Sequence, residues 1–106
     1  PWPKLERVRQ RMTDLLGAAD ATRLRHSLLD ALEDRERSAL HDLPATGLTD
    51  EWEHVLSSPF VQHPDYGTRC ATVVVADARG AGSVLERRYD ATGLPLGESE
   101  FGLNGA

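Results

Sequence analysis

Apolar positions recur every three or four residues in the first half of the chain and switch to a period of two in the second. Leu5, Val8, Met12, Leu15 and Leu16 fall on one stripe, which predicts a helix over residues 4–16. Pro3 suits its first turn, where a missing N–H has no partner to lose, and Gly17 is a natural stop. Leu24, Leu28, Ala31 and Leu32 predict a second helix, from residue 20 or 22 to residue 33, that Asp20 or Thr22 can cap. Residues 34–48, DRERSALHDLPATGL, lose the period and read as a surface loop. Thr49 and Asp50 restart a short helix, with Glu53 three residues after Asp50 in a capping-box arrangement. Trp52, Val55 and Leu56 are its expected buried face, and Ser57, Ser58 and Pro59 end it.

Residues 68–77 are rich in valine and threonine and apolar on both faces, which predicts a strand in the middle of a sheet. Two glycines in residues 78–82 make a hairpin turn, and residues 83–89 return as a second strand. After a turn at residues 90–93, residues 96–103 alternate Glu98 and Glu100 with Ser99 and Phe101, the pattern of a half-exposed edge. The chain therefore reads as α+β: helical over residues 1–33, a loop over 34–48, a short helix over 49–57 and strands over 58–104. The strands end in a three-stranded antiparallel meander. A central strand apolar on both faces needs a layer on each side. Three strands and three helices are thin material for that. The economical expectation is half of a sandwich, completed by a preceding amino-terminal segment, which alone would expose apolar strand surface and self-associate.

Length, charge and cysteine usage narrow the function classes. At 106 residues the chain is at most one domain. Its 12 basic and 17 acidic side chains are interspersed, so no basic stripe marks a nucleic-acid partner. No apolar run approaches the roughly 20 residues of a bilayer span, so stable membrane insertion is not expected. One cysteine, Cys70, excludes an internal disulfide and any multi-cysteine metal site, and a cytoplasmic setting is the default.

Four histidines, His26, His41, His54 and His63, show no HxH or HExxH spacing and read as structural or solvated, so no metal site is expected. Cys70, flanked on its own face by Thr68 and Thr72, reads as a small core residue. Glu98 and Glu100 are neighbours on one exposed face, where a carboxylate pair for glycoside chemistry has little support. An amino-terminal proline can act as a base when it opens a buried strand, but Trp2, Pro3 and Lys4 lead from Pro1 into a helix. The informative stretch is Tyr66-Gly67-Thr68-Arg69 at the mouth of the most strand-like run. Gly67 permits close backbone approach or a positive φ. Arg69, at the rim of an apolar face, must find a carboxylate, an anionic or carbonyl ligand, or water. An ion pair to Asp65 or another acid is slightly favoured over a ligand.

PWPKLERVR at the start, DLPATGL with EWEHVLSSPFV in the middle, and PDYGTRCATVVVAD followed by ERRYD together resemble the carboxy-terminal half of the NRDE family, whose eukaryotic members are called transport and Golgi organisation proteins. The resemblance runs from Pro1 to about Phe101, with Cys70 where the family pattern expects serine. It implies an amino-terminal-nucleophile-hydrolase-like αββα fold, two sheets face to face between helical layers. Family members open with Met-Cys and an Asn-Arg-Asp-Glu box, neither of which stands here, and Pro1 has no nucleophilic side chain. Any catalytic cysteine would then lie on the missing amino-terminal segment, or on its nicked chain. The resemblance gives Arg69 the part of a strand-borne arginine facing that nucleophile, with Tyr66 and Thr68 lining the same pocket. It further implies the handling of haem or another hydrophobic small ligand, or, alternatively, cysteine-dependent amide hydrolysis.

Overall fold

The computed structural model describes residues 2–17 and 20–104, so Pro1 lies outside the described residues. Helix α1 spans Pro3–Leu16 and α2 spans Ala21–Leu32. A 3-10 turn at Leu40–Asp42 lies within the loop that follows, and α3 spans Asp50–Val55. Five strands complete the chain: β1 (Gln62–His63), β2 (Tyr66–Gly67), β3 (Cys70–Ala76), β4 (Gly82–Tyr89) and β5 (Pro95–Leu103). β1 and β2 form a small hairpin, and the other three an antiparallel sheet in the order β3-β4-β5. The chain is α+β, helices first and meander last, as the periodicity predicts.

Local chemistry accounts for most boundaries. Asp20 caps α2 by accepting the Thr22 N–H at 2.9 Å. Thr49, not Asp50, caps α3, accepting the Trp52 N–H at 3.3 Å. The expected capping box therefore does not form, because the position three residues after Thr49 is Trp52. Glu53 turns back instead and accepts from the Thr46 N–H at 2.7 Å and the Thr46 hydroxyl at 2.8 Å. Those two bonds hold its carboxyl below the usual carboxylate range, against the opposing effect of burial. Gly93, at φ 83°, supplies the left-handed corner of the β4–β5 turn.

Leu28 and Leu29 of α2 pack with Ala71 and Val73 of β3, Leu85 and Tyr89 of β4, and Phe60. Phe60 and Tyr89 meet edge to face at 4.7 Å between centroids. Pairing of Val73 with Leu85 and of Leu85 with Glu100 puts these side chains on one face, beneath the helices. The opposite face carries Cys70, Thr72 and Val74, the row Val74–Val84–Phe101 running across all three strands. No second layer covers that face among the described residues: Val74 and Phe101 are each 60% exposed.

Two expectations are corrected here. β3 does not lie between other strands; β4 is central and β3 is an edge. Its apolar character on both faces finds a partner on one face only, and Cys70 is an exposed residue rather than a core one. The α1 stripe is equally under-used, since no residue of α1 is buried and Leu16 is 60% exposed. The radius of gyration, 15.6 Å, exceeds the ~13 Å expected for a compact domain of this length, consistent with this openness.

Candidate functional site

The Tyr66–Arg69 stretch forms the junction between the small hairpin and the sheet. Thr68 fastens it: its N–H donates to the Val61 carbonyl and its Oγ1 accepts the Val61 N–H, both at 2.9 Å. The Arg69 carbonyl then accepts the Tyr89 N–H at 2.8 Å, joining the stretch to β4. Gly67 works by close approach rather than positive φ. A Cβ there would stand 3.0 Å from the Val61 carbonyl oxygen and 3.1 Å from Arg69 Nη1.

Hairpin register separates the residues that the sequence places at one mouth. His63 pairs with Tyr66, and Gln62 with Gly67. Successive side chains on a strand point to opposite faces. His63 and Tyr66 therefore face α3, where Trp52 lies 4.5 Å from the His63 ring and edge-on to Tyr66 at 6.4 Å. Leu48, Trp52, Leu56 and Tyr66 line an apolar cleft of about 290 Å³ there. Lys4 donates to the Leu56 carbonyl at 2.6 Å, which brings an ammonium to the same helix end; partial burial lowers its pKa.

On the Gln62–Gly67 face, Arg69 lies against Gly67. Arg35 spans the neighbouring turn, donating to Gln62 Oε1 at 2.8 Å and to the Gly93 carbonyl at 2.7 Å while stacking on Phe60 at 4.2 Å. Arg37 donates to the Gln62 carbonyl at 2.7 Å. Arg69 is exposed, and among the described residues it has no carboxylate within ion-pair distance. The expected pair with Asp65 is not formed. Tyr66 and Arg69 thus occupy opposite faces of one hairpin, and Thr68 is a fastener between them.

Two of the histidines and the Glu98–Glu100 pair are engaged by neighbouring groups. His54 Nδ1 donates to the Ser38 carbonyl at 3.1 Å. His63 Nδ1 accepts the Asp65 N–H at 3.1 Å, leaving Nε2 toward Glu51 at 4.0 Å. No cluster of three metal-ligating side chains exists among the described residues. Glu98 and Glu100 are not a free carboxylate pair: Arg87 holds Glu98 at 2.7 Å, and Arg25 of α2 binds Glu100.

A polar network under α2 escapes the periodicity reading. Arg87 donates to Glu33 Oε1 at 2.8 Å and Tyr89 donates to the same oxygen at 2.7 Å. Burial opposes the Glu33 charge, but the Tyr89 hydroxyl and the Arg87 guanidinium outweigh it and hold its pKa below the ordinary value. Tyr89 is pushed up to about 12, by burial first and then by its bond to Glu33. The available signal is the alternation Leu85, Arg87, Tyr89: an arginine two residues from a core leucine on a strand shares its face and needs an acid.

No helix is long and apolar enough to cross a membrane among the described residues. Comparison with curated proteins finds no match. Residues 1–91, everything up to the turn before β5, match the family described as Transport and Golgi organisation 2.

Proposed function

The chain belongs to that family, and from this premise we propose that it handles a hydrophobic small ligand, haem included, held loosely at the cleft between α3 and the hairpin. The observation that carries this reading is the cleft itself. Tyr66 and Trp52 offer ring surfaces at right angles, Leu48 and Leu56 complete an apolar wall, and Lys4 supplies a cation nearby for a ligand carboxylate. About 290 Å³ holds part of a haem or one acyl segment but does not enclose either. His63 accepts the Asp65 N–H at Nδ1, which puts its proton on Nε2 and leaves no lone pair there for an iron, and His54 does not line the cleft. Contact by stacking without axial coordination suits a molecule that is passed on rather than kept. A cytoplasmic setting fits a chain whose single cysteine is free.

Haem titration tests the reading. Quenching of tryptophan fluorescence, lost in Trp52→Leu, should accompany a Soret shift without the sharp bands of a six-coordinate low-spin iron. An unchanged Soret band and unquenched fluorescence at tens of micromolar haem would contradict it.

The second reading, amide hydrolysis by a cysteine outside these 106 residues, is favoured by one observation. Arg69 has no carboxylate partner among the described residues, so it is open to a carbonyl or carboxylate group of a substrate. In this reading residues 1–106 are the carboxy-terminal part of one domain, and the bare sheet face receives the second sheet of an αββα sandwich. Parent protein bearing Arg69→Ala that retains full turnover would exclude that role for Arg69.

A further inference from the structure

Three arginines gather on the Gln62–Gly67 face of the small hairpin, and none is paired with an acid among the described residues. Gln62 is their hub. Arg35 donates to its Oε1 at 2.8 Å and Arg37 to its carbonyl at 2.7 Å. Gly67 is its partner across the hairpin, and Arg69 Nη1 stands 3.1 Å from where a Cβ on Gly67 would be. Gly93 makes similar room for Arg35, whose Nη1 lies 3.0 Å from the Cβ position there. Paired residues on neighbouring strands hold their Cβ atoms about 4.5–5.5 Å apart, so the Arg35 and Arg69 heads flank one Gln62 side chain.

The anchors of these heads are neutral. A carbonyl oxygen fixes a guanidinium in place without cancelling its charge. Arg35 is held by two such oxygens and by its stacking on Phe60. Gln62 is itself fixed from the other end, its Nε2 donating to the Thr92 carbonyl at 2.9 Å. The acids of adjoining segments are committed elsewhere. Glu33 accepts from Arg87 and Tyr89, Asp34 from Arg7, and Asp90 from the Thr92 hydroxyl and the N–H groups of its own turn. Glu36 and Asp65, beside the patch in sequence, form no ion pair with these arginines. A chain with 17 acidic and 12 basic side chains thus carries a local surplus of positive charge on this face.

We propose that this face binds a phosphoryl group, carried by a small soluble phosphate ester or by a lipid headgroup. A carboxylate fills one guanidinium fork. A phosphate monoester offers three oxygens and close to two negative charges near neutral pH, which several forks can share. All three bases are arginine, whose planar fork matches phosphate oxygens. The heads of Arg35 and Arg37 are already held, so they lose little freedom on binding. A diphosphate spans more of the hub than a monophosphate and binds more tightly. The apolar cleft lies on the Tyr66 face, so the phosphoryl site needs neither that cleft nor a cysteine and stands apart from both readings above.

Backbone-amide NMR of the labelled chain, titrated with inorganic phosphate and then pyrophosphate at constant ionic strength, tests the site. Saturable shifts at Gln62, Gly67, Arg69 and Gly93 are expected at millimolar anion, with Trp52 unmoved. Arg37→Gln and Arg69→Gln each remove one exposed guanidinium and should weaken pyrophosphate binding about tenfold. Arg79→Gln, in the β3–β4 turn and equally exposed, should leave it unchanged. Phosphatidylcholine vesicles with and without phosphatidic acid identify the source. Binding that requires phosphatidic acid and is lost in Arg37→Gln marks a lipid headgroup; a response to the soluble anions alone marks a soluble ester. No saturable shift with either anion together with no vesicle binding would overturn the proposal. Equal weakening by Arg79→Gln would overturn it too, since non-specific attraction to any arginine predicts that result.

Discussion

The two edges of the sheet differ in kind. β5 carries the devices that stop a strand from pairing further: Pro95 lacks an N–H, Glu98 and Glu100 place charges along it, and a register shift falls where it meets Arg88 and Tyr89. Arg87 and Arg25 tie its glutamates back to β4 and α2. β3 carries no proline, no bulge in its pairing with β4 and no Lys, Arg, Asp or Glu from Cys70 to Ala76. One chain has blunted one edge and left the other bare, with the apolar stripe of α1 beside it. The contrast teaches that exposure here is selective: the polar edge is blunted and the apolar edge is left open among the described residues.

The comparison breaks most completely if α2 loses its grip on the sheet. Leu29 is fully buried, and Leu29→Ala should lower unfolding stability by about 2–5 kcal/mol in denaturant titration. Next in size is the blunted side. Arg87→Met leaves Glu33 and the Tyr89 hydroxyl with an incomplete network and should lower stability by about 1–3 kcal/mol. A pH series separates Glu33 from general acid effects. Its pKa is lower in the folded chain than in the unfolded one, so its contribution is complete above about 4.5 and fades as pH falls through the folded value. Glu33→Gln should flatten stability below that pH, and an unaltered slope would show that Glu33 is not the group. The smallest effect belongs to the open side. Val74 is 60% exposed, and Val74→Thr should stay within about 0.5 kcal/mol of the parent chain; a loss above 2 kcal/mol would mean that a partner already covers it.

Periodicity made the elements legible because helix and strand repeats differ so clearly between residues 5–16 and residues 83–89. It could not reveal which strand is central. Apolar residues on both faces of β3 require cover, but the pattern does not say whether cover comes from within the chain. Cap assignment failed at α3 for a narrower reason: Thr49 and Asp50 both suit the position, and only the backbone geometry chose Thr49. At the candidate site, Tyr66, Thr68 and Arg69 are close in sequence, but Tyr66 faces α3 from β2 while Arg69, beyond the end of β2, lies against Gly67 on the other face. Trp52, which completes the Tyr66 cleft, was visible only as part of a helix face. Arg87 and Glu33 meet across 54 positions, a separation that no local pattern encodes.

Residue-resolved amide exchange on the chain alone bears most directly on the contrast between its edges. Cys70, Thr72, Val74 and Ala76 should exchange nearly as fast as exposed peptide, while Ala71, Val73, Val75 and the amides of β4 are protected. Equal protection along the whole of β3 would contradict the account, because it would mean that the edge is already paired.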